Sequence, residues 1–434
     1  MSHWIDPLYN KFIMIDRIFF HADGQTPNPY GILASEYDVT TDTWRDWSSG
    51  ITSSDSVRLL QSCGNGSCQF VENDNDPTPR LLAYRWYPTA VVNWDGRLLI
   101  ASGTDLDQGT GTLAQGALAT GKYAAENDLS MMKLPVDLDT SPSGIGNGTS
   151  DGPRALYPHM HLQPTYEYFV CSTNQWWVGF LFAGSNYLNK GPGFLDPRYA
   201  DGGTPVYYPG AGMSGLRPMV PPYSFATVVL CGATWGYNSI NTYVDPDCAV
   251  ITPSDPNPVS SRTGGVTMLH KRIMPYCIIM LDGNVACMMG AESGFSGYYS
   301  AINPQLTVDL LNTTTMTFTP GATATVPCLY HSIASLAFTH QSCALSTTTP
   351  AQSVAVINPG FSTHNQQMSQ RYVFLACTCV TPVARLISSG SIIQGQCSCT
   401  IPSNYAVMPP GDYLITLLDG GVPSPAQWIS IAST

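Results

Sequence analysis

Two matching strand–turn–strand segments limit the fold more than any other feature of this chain. Residues 88–103 place two apolar runs around Asp95-Gly96, and residues 274–290 repeat the design around Asp282-Gly283, again ending on a glycine. Asp-Gly between apolar runs is a strong short-range hairpin signal, because the turn needs positive φ where glycine carries no Cβ penalty. Residues 156–172 keep the apolar runs but lack the Asp-Gly, and 224–232 and 329–338 read as single strands of the same kind. Loops rich in Pro, Gly and Asn separate them, as in 139–153 and 189–212. Helical periodicity is nearly absent. Hairpins recurring at such intervals predict a β-propeller, with an ordinary β-sandwich as the alternative.

Composition agrees. Charged residues are 11% of the 434, against about 25% in average domains, which disfavours long exposed helices. Beyond residue 342 the texture changes, with an alternating strand at 353–358 and further strands at 371–379 and 411–418 before 423–430. That texture predicts a sandwich of the immunoglobulin type, short for that fold and expected to be truncated. The expected division is 1–342 and 343–434.

The charge balance restricts partners. Net charge is −12 with 18 basic residues and no basic run, so nucleic acid is not expected. No apolar stretch reaches the length of a membrane span. Asp6, Lys11, Asp16 and Arg17 interrupt the N-terminal apolar region, so it is not a signal peptide, and a leader is expected outside this sequence. Thirteen cysteines, among them Cys63 and Cys68 in Cys-Gly-Asn-Gly-Ser-Cys, point to an oxidising compartment. Sequons at Asn65, Asn147 and Asn312 fit a secreted glycoprotein. Spacing favours the pairs Cys63–Cys68 and Cys231–Cys248. Cys377, Cys379, Cys397 and Cys399 allow two cross-strand pairings, whereas Cys277 reads by default as a buried thiol. Cys171, Cys277, Cys287, Cys328 and Cys343 have no obvious partner, and the odd total leaves at least one cysteine unpaired within the chain.

Only eight histidines are present. Tyr330-His331 lies in a strand pattern and His364 in a turn-rich segment. Imidazole nitrogen with phenolate oxygen is a donor set suited to Cu(II), although a Tyr-His pair alone more often packs in a core. His159 and His161 alternate along a strand and share one face, read as solvated. Tyr87, in Arg-Trp-Tyr-Pro, stands at a strand entrance. No nucleophile elbow, Walker loop or zincin motif occurs, and nothing singles out a pair of carboxylates.

Taken together, segments along nearly the whole chain resemble the copper radical oxidases, the galactose oxidase and glyoxal oxidase family, with the glyoxal oxidase branch nearer. They include Ala34-Ser-Glu-Tyr-Asp-Val, Arg85-Trp-Tyr-Pro-Thr89, Leu156-Tyr-Pro-His159, Pro221-Pro-Tyr223, Met274-Pro275, Tyr330-His-Ser332, Pro359-Gly-Phe-Ser-Thr-His364 and Pro409-Pro-Gly411, in the family's order. The resemblance implies a kelch-type seven-bladed β-propeller followed by an immunoglobulin-like β-sandwich whose loop sends a histidine toward the propeller axis. It implies one copper ion held by Tyr87, Tyr330, His331 and His364, with a tyrosyl radical on Tyr87 and Tyr330 as general base. The implied reaction oxidises a small aldehyde or primary alcohol with O₂, giving H₂O₂, in a monomer.

Two family segments are missing. In the family a cysteine in an upstream Phe-Cys-Ser-Gly-Gly strand bonds the radical tyrosine through a thioether. Here the chain passes from Trp44 to Val57 without that strand, and no cysteine precedes Cys63. A second gap falls around 342–352. The expectation is therefore an intact ligand quartet without the thioether. Three readings follow: a working oxidase; a catalytically impaired copper-binding relative, or the product of an incompletely spliced gene; and a non-enzymatic propeller binding glycan or protein.

Overall fold

The computed structural model describes residues 88–96, 98–100, 157–171, 210–234, 239–253, 266–297, 299–329, 353–378 and 398–432 in full, and gives only the backbone of strands elsewhere. The architecture is all-β. Every paired strand of the sheets is antiparallel to its neighbours, and no helix occurs among the described residues.

Four successive sheets carry the centre of the molecule. They begin with the strands Thr89–Val92, His159–Leu162, Met213–Leu216 and Tyr276–Ile279, and each runs outward from that first strand to a sheet edge. Consecutive first strands touch one another. All four also touch the strand Gln366–Met368, half of a hairpin completed by Phe361–Thr363. That hairpin is extended by the chain's own beginning: Phe361–Thr363 pairs with Ser2–Asp6, which leads into the meander Lys11–Phe20, Pro27–Asp38 and Thr43–Gly50. Strands from both halves of the sequence thus share one sheet.

Three of these four sheets open with the same hairpin. The five-residue connections 93–97, 163–167 and 280–284 each hold an i to i+3 turn, closed by Gly96 N–H to Asn93 O at 3.0 Å, Tyr166 N–H to Gln163 O at 2.9 Å and Gly283 N–H to Met280 O at 3.0 Å. Gly96 and Gly283 both take φ of 82°, and Tyr166 adopts 68° at the equivalent position. The turn therefore survives where its sequence signature is lost. Strand register forces a tyrosine into the left-handed region, which sequence preference alone disfavours.

Cross-strand disulfides tie two of the hairpins. Cys231 bonds Cys248 and Cys277 bonds Cys287, each pair directly opposite in register, with Cα atoms 4.1 Å apart in both. The second pair corrects the reading of Cys277 as a buried thiol. Residues on neighbouring strands have no sequence spacing that announces their register. Cys377 bonds Cys399 across the ribbon formed by Ala376–Ile387 and Gly390–Thr400.

The C-terminal strands Arg371–Phe374, Gln352–Asn358, Gly411–Asp419, Val422–Pro423 and Gln427–Ile431 form one sheet. Its central strand is apolar on both faces. Val354 and Val356 join a buried cluster with Leu216, Val228, Leu230 and Ile251, whereas Ala355 and Ile357 pack with Tyr372, Ile279 and Leu281. Backbone bonds from Met219 N–H to Tyr372 O and from Phe374 N–H to Met219 O, both 2.9 Å, stitch this sheet to the preceding ones.

Candidate functional site

The site grows from the tip of the hairpin 361–368. Its two turn residues, His364 and Asn365, have φ of 49° and 65°, the two positive values of a type I′ turn. Asparagine tolerates this region well, whereas histidine adopts it at a cost. Hairpin tips normally face water, where their backbone groups are satisfied. This one does not: His364 is 5% exposed and Asn365 1%. A strained, polar turn held inside a protein is a feature from which function is reasonably inferred.

The hairpin is anchored on all sides. Met368 and Phe361 pack with Tyr157 and Ala90. Ser362 Oγ donates to Tyr276 Oη at 3.2 Å, and Gln366 Nε2 donates to Gly212 O at 3.2 Å. Burial lifts the Tyr276 phenol well above its ordinary range, partly offset by the Ser362 and Gln367 side chains, so Tyr276 is a neutral phenol at the hairpin's flank.

Tyr157 is the partner of His364 that sequence reasoning missed. Its hydroxyl lies 2.6 Å from His364 Nδ1, and Thr363 Oγ1 lies 2.8 Å from the same nitrogen. The two rings are 5.0 Å apart. Tyr157 itself has φ of 47°, so both members of the pair sit on strained backbone. In the tautomer whose Nδ1–H donates to one of these hydroxyl oxygens, Nε2 carries the ring's lone pair, which is the form of histidine that ligates a metal. Tyr157 belongs to the Leu-Tyr-Pro stretch just before the inner strand, and that position was its only sequence signal.

The two histidines of that strand are buried, at 3% and 4% exposure, which corrects the solvated-face reading. His159-Met-His-Leu162 is covered on both faces, and its equally apolar alternate positions, Met160 and Leu162, were the available hint. Ser214 Oγ lies 2.8 Å from His159 Nδ1 and 2.9 Å from His161 Nε2. A hydroxyl has one proton, so it donates to one ring and accepts from the other, coupling the two tautomers. Burial, then His159, then Arg371 push His161 down to about 3, keeping it neutral. Arg371 is buried and donates to the carbonyls of Leu162, Ala406 and Val407, pinning the base of the hairpin to the inner strand.

Of the expected ligands, His364 is the one within the described residues. Tyr87, Tyr330 and His331 lie outside them, as do Cys63, Cys68, Asn65 and Asn147. Described neighbours mark two approaches. Thr89, two residues beyond Tyr87, donates its hydroxyl to Pro158 O at 2.6 Å, beside Tyr157. Gly290 N–H bonds Cys328 O at 3.2 Å, two residues before Tyr330. Asn312 is exposed at a hairpin turn, its Oδ1 accepting from the Thr314 and Thr315 amides.

Comparison with known proteins matches this sequence to a family. The sequence pattern described as "Glyoxal oxidase N-terminus" matches residues 47–364, and that described as "Galactose oxidase-like, Early set domain" matches residues 319–431. The chain is similar to "Aldehyde oxidase GLOX" of Vitis pseudoreticulata, at 25% identity over 445 aligned positions that take in 86% of this chain and 77% of that protein. It is also similar to "Aldehyde oxidase GLOX1" of Arabidopsis thaliana, at 23% identity, with 91% and 72% covered. A solved fungal alcohol oxidase of the AA5 family, in complex with copper, shares its fold at a TM-score of 0.61 and 14% identity, over 100% of this chain and 97% of that one. Since the first pattern spans most of the sequence, the chain belongs to the copper radical oxidase family, in its glyoxal oxidase branch.

Proposed function

We propose that this protein is a secreted, monomeric copper radical oxidase that oxidises small aldehydes or primary alcohols with O₂ and releases H₂O₂. The observation that carries the reading is the buried turn at 364–365, where His364 is held through Nδ1 by Tyr157. The donors suit copper: a neutral imidazole offering Nε2 here, with His331, Tyr87 and Tyr330 completing a nitrogen and phenolate set. When bound, copper supplies one oxidising equivalent and a radical on Tyr87 the other. Tyr330 takes the substrate's proton, a role open to a phenol of ordinary pKa about 10 only when a metal lowers it.

In this reading the four central sheets are blades of a seven-bladed kelch-type propeller over residues 1–342, around an axis filled by the hairpin 361–368. Residues 343–434 form the immunoglobulin-like part. Cross-strand disulfides support an oxidising compartment, and an exposed Asn312 is open to glycosylation.

A second reading, a copper-binding relative with weak oxidase activity, is favoured by a specific observation. The alignment with the Vitis protein runs over 445 positions, more than the chain's 434 residues, yet takes in 86% of them. That relative therefore carries internal stretches with no counterpart here, and no cysteine lies upstream of Cys63 for a thioether to Tyr87.

Copper stoichiometry and H₂O₂ release with methylglyoxal or glyoxal test both. One copper per chain, lost in His364→Ala, with measurable H₂O₂ supports the oxidase. One copper without H₂O₂, and no thioether-type absorption band, supports the impaired relative. A protein that binds no copper overturns both.

A further inference from the structure

A groove outside the copper reading is shared by residues 217–227 and 313–314. It encloses about 380 Å³ and is lined by Pro221, Pro222, Tyr223 and Phe225 together with Thr313 and Thr314, a size at which small ligands bind. Val220 and Phe225 in its wall are left 56% and 48% exposed, so the groove presents apolar surface to water. The walls are fixed in advance: Tyr223 Oη donates to Phe374 O at 2.6 Å and Arg217 Nε to Thr313 O at 3.1 Å. No carboxylate stands among the described lining residues, and the one cation, Arg217, is turned onto that carbonyl. The charge pattern therefore selects an uncharged occupant. Thr313 and Thr314 also belong to the sequon that begins at Asn312. Asn312 is exposed, with its Oδ1 held by the Thr314 and Thr315 amides at 3.0 and 2.9 Å. Thr313 is anchored by its hydroxyl on Gly283 O at 2.8 Å.

We infer that this groove seats the first sugars of an N-linked glycan on Asn312, which cover Phe225 and the Pro221-Pro222 wall. The donor class is a polyprenyl-diphosphate oligosaccharide met during secretion. The bond from Asn312 Nδ2 to the anomeric carbon forms, the bond from that carbon to the diphosphate oxygen breaks, and the amide proton leaves with the released polyprenyl diphosphate. A pyranose ring has an apolar C–H face and a rim of hydroxyls. The face suits the electron-rich face of Phe225, and the rim suits Ser224, Thr227 and Thr314, all in the lining. Because the sugar is tethered one residue from the lining, its effective concentration there is roughly millimolar, and weak contacts suffice. The glycan thereby covers an apolar surface, a role beyond that of a solubilising appendage. This assignment rests on the secreted reading and is independent of copper.

The test uses the full chain secreted from a eukaryotic host and read by glycopeptide mass spectrometry. Asn312 should carry a glycan, and peptide N-glycosidase should remove it from the native protein at least about fivefold more slowly than from native Phe225→Ser or Val220→Ser. Both side chains are exposed, so neither change should lower the unfolding midpoint of the deglycosylated chain. Removal from the parent should raise binding of a hydrophobic dye, and removal from Phe225→Ser should not. Equal removal rates in the parent and both variants overturn the inference. So does a glycosylated parent that self-associates through Phe225 in sedimentation, since a second copy would then fill the groove. A secreted chain bare at Asn312 overturns the inference alone. A chain recovered only inside the host, and bare at Asn312, overturns the secreted reading with it.

Discussion

Tyr157 and His364 each take an unfavourable backbone and meet through a short contact at the hairpin tip. Tyr157→Phe keeps the ring packing and removes the hydroxyl that meets His364 Nδ1, so it tests the hold on that nitrogen. Copper affinity should fall by roughly 10-fold or more, as when other groups that orient metal-bound histidines are removed. EPR-monitored competition with a chelator measures it, and an unchanged affinity would mean that the Tyr157 hydroxyl does not set the hold on His364. His161 makes a separate prediction. Its folded pKa of about 3 lies below the ordinary 6.5, so the unfolded chain binds a proton that the native state refuses. Stability is full above pH 6.5 and falls by about 1.4 kcal/mol per pH unit toward pH 3 from this group alone. Urea unfolding across that window should show a shallower slope in His161→Gln than in the parent.

At the scale of elements, the repeated hairpin explains its own punctuation. The glycine that ends the 274–290 unit has φ of 83°, and a Cβ there would lie 2.3 Å from Ile273 O. Gly290→Ala therefore forces backbone apart as well as straining φ, and should cost roughly 3 kcal/mol or more. Gly420, with φ of 58° and nothing near its Cβ, should lose only about 1 kcal/mol on the same change. Calorimetric midpoints of the two variants compare them directly; equal losses would remove the close approach as the cause. The same element shows how far local sequence reaches. Asp-Gly announced two hairpins correctly, yet the third forms with Tyr166 at the glycine position, ring-packed against Trp94 at 5.8 Å. There the sheet imposes the turn.

Across the whole molecule, the C-terminal sheet serves as a wedge more than an appendage. Its central strand buries Val354 and Val356 on one side and Ala355 and Ile357 on the other, against residues of the earlier sheets. Expressing residues 1–342 alone should expose both apolar seats and remove the hairpin 361–368, giving aggregation instead of a cooperative melt. A soluble, monodisperse fragment with a sharp unfolding transition would show that the earlier sheets fold without it.

Some of this was legible from residues alone. Low charge, turn-forming pairs and short apolar runs determine an all-β chain of hairpins, since strand and turn preferences are set by near neighbours along the sequence. The candidate ligand His364 was legible through its family motif. The seat of that residue was not. Tyr157 meets it across 207 positions, the bond between Cys277 and Cys287 follows from strand register, and the burial of His159 and His161 follows from a strand covered on both faces. Such contacts depend on which sheets stand beside which, so only the tertiary structure decided that a polar turn would sit at the centre, under strain, with its amides turned inward.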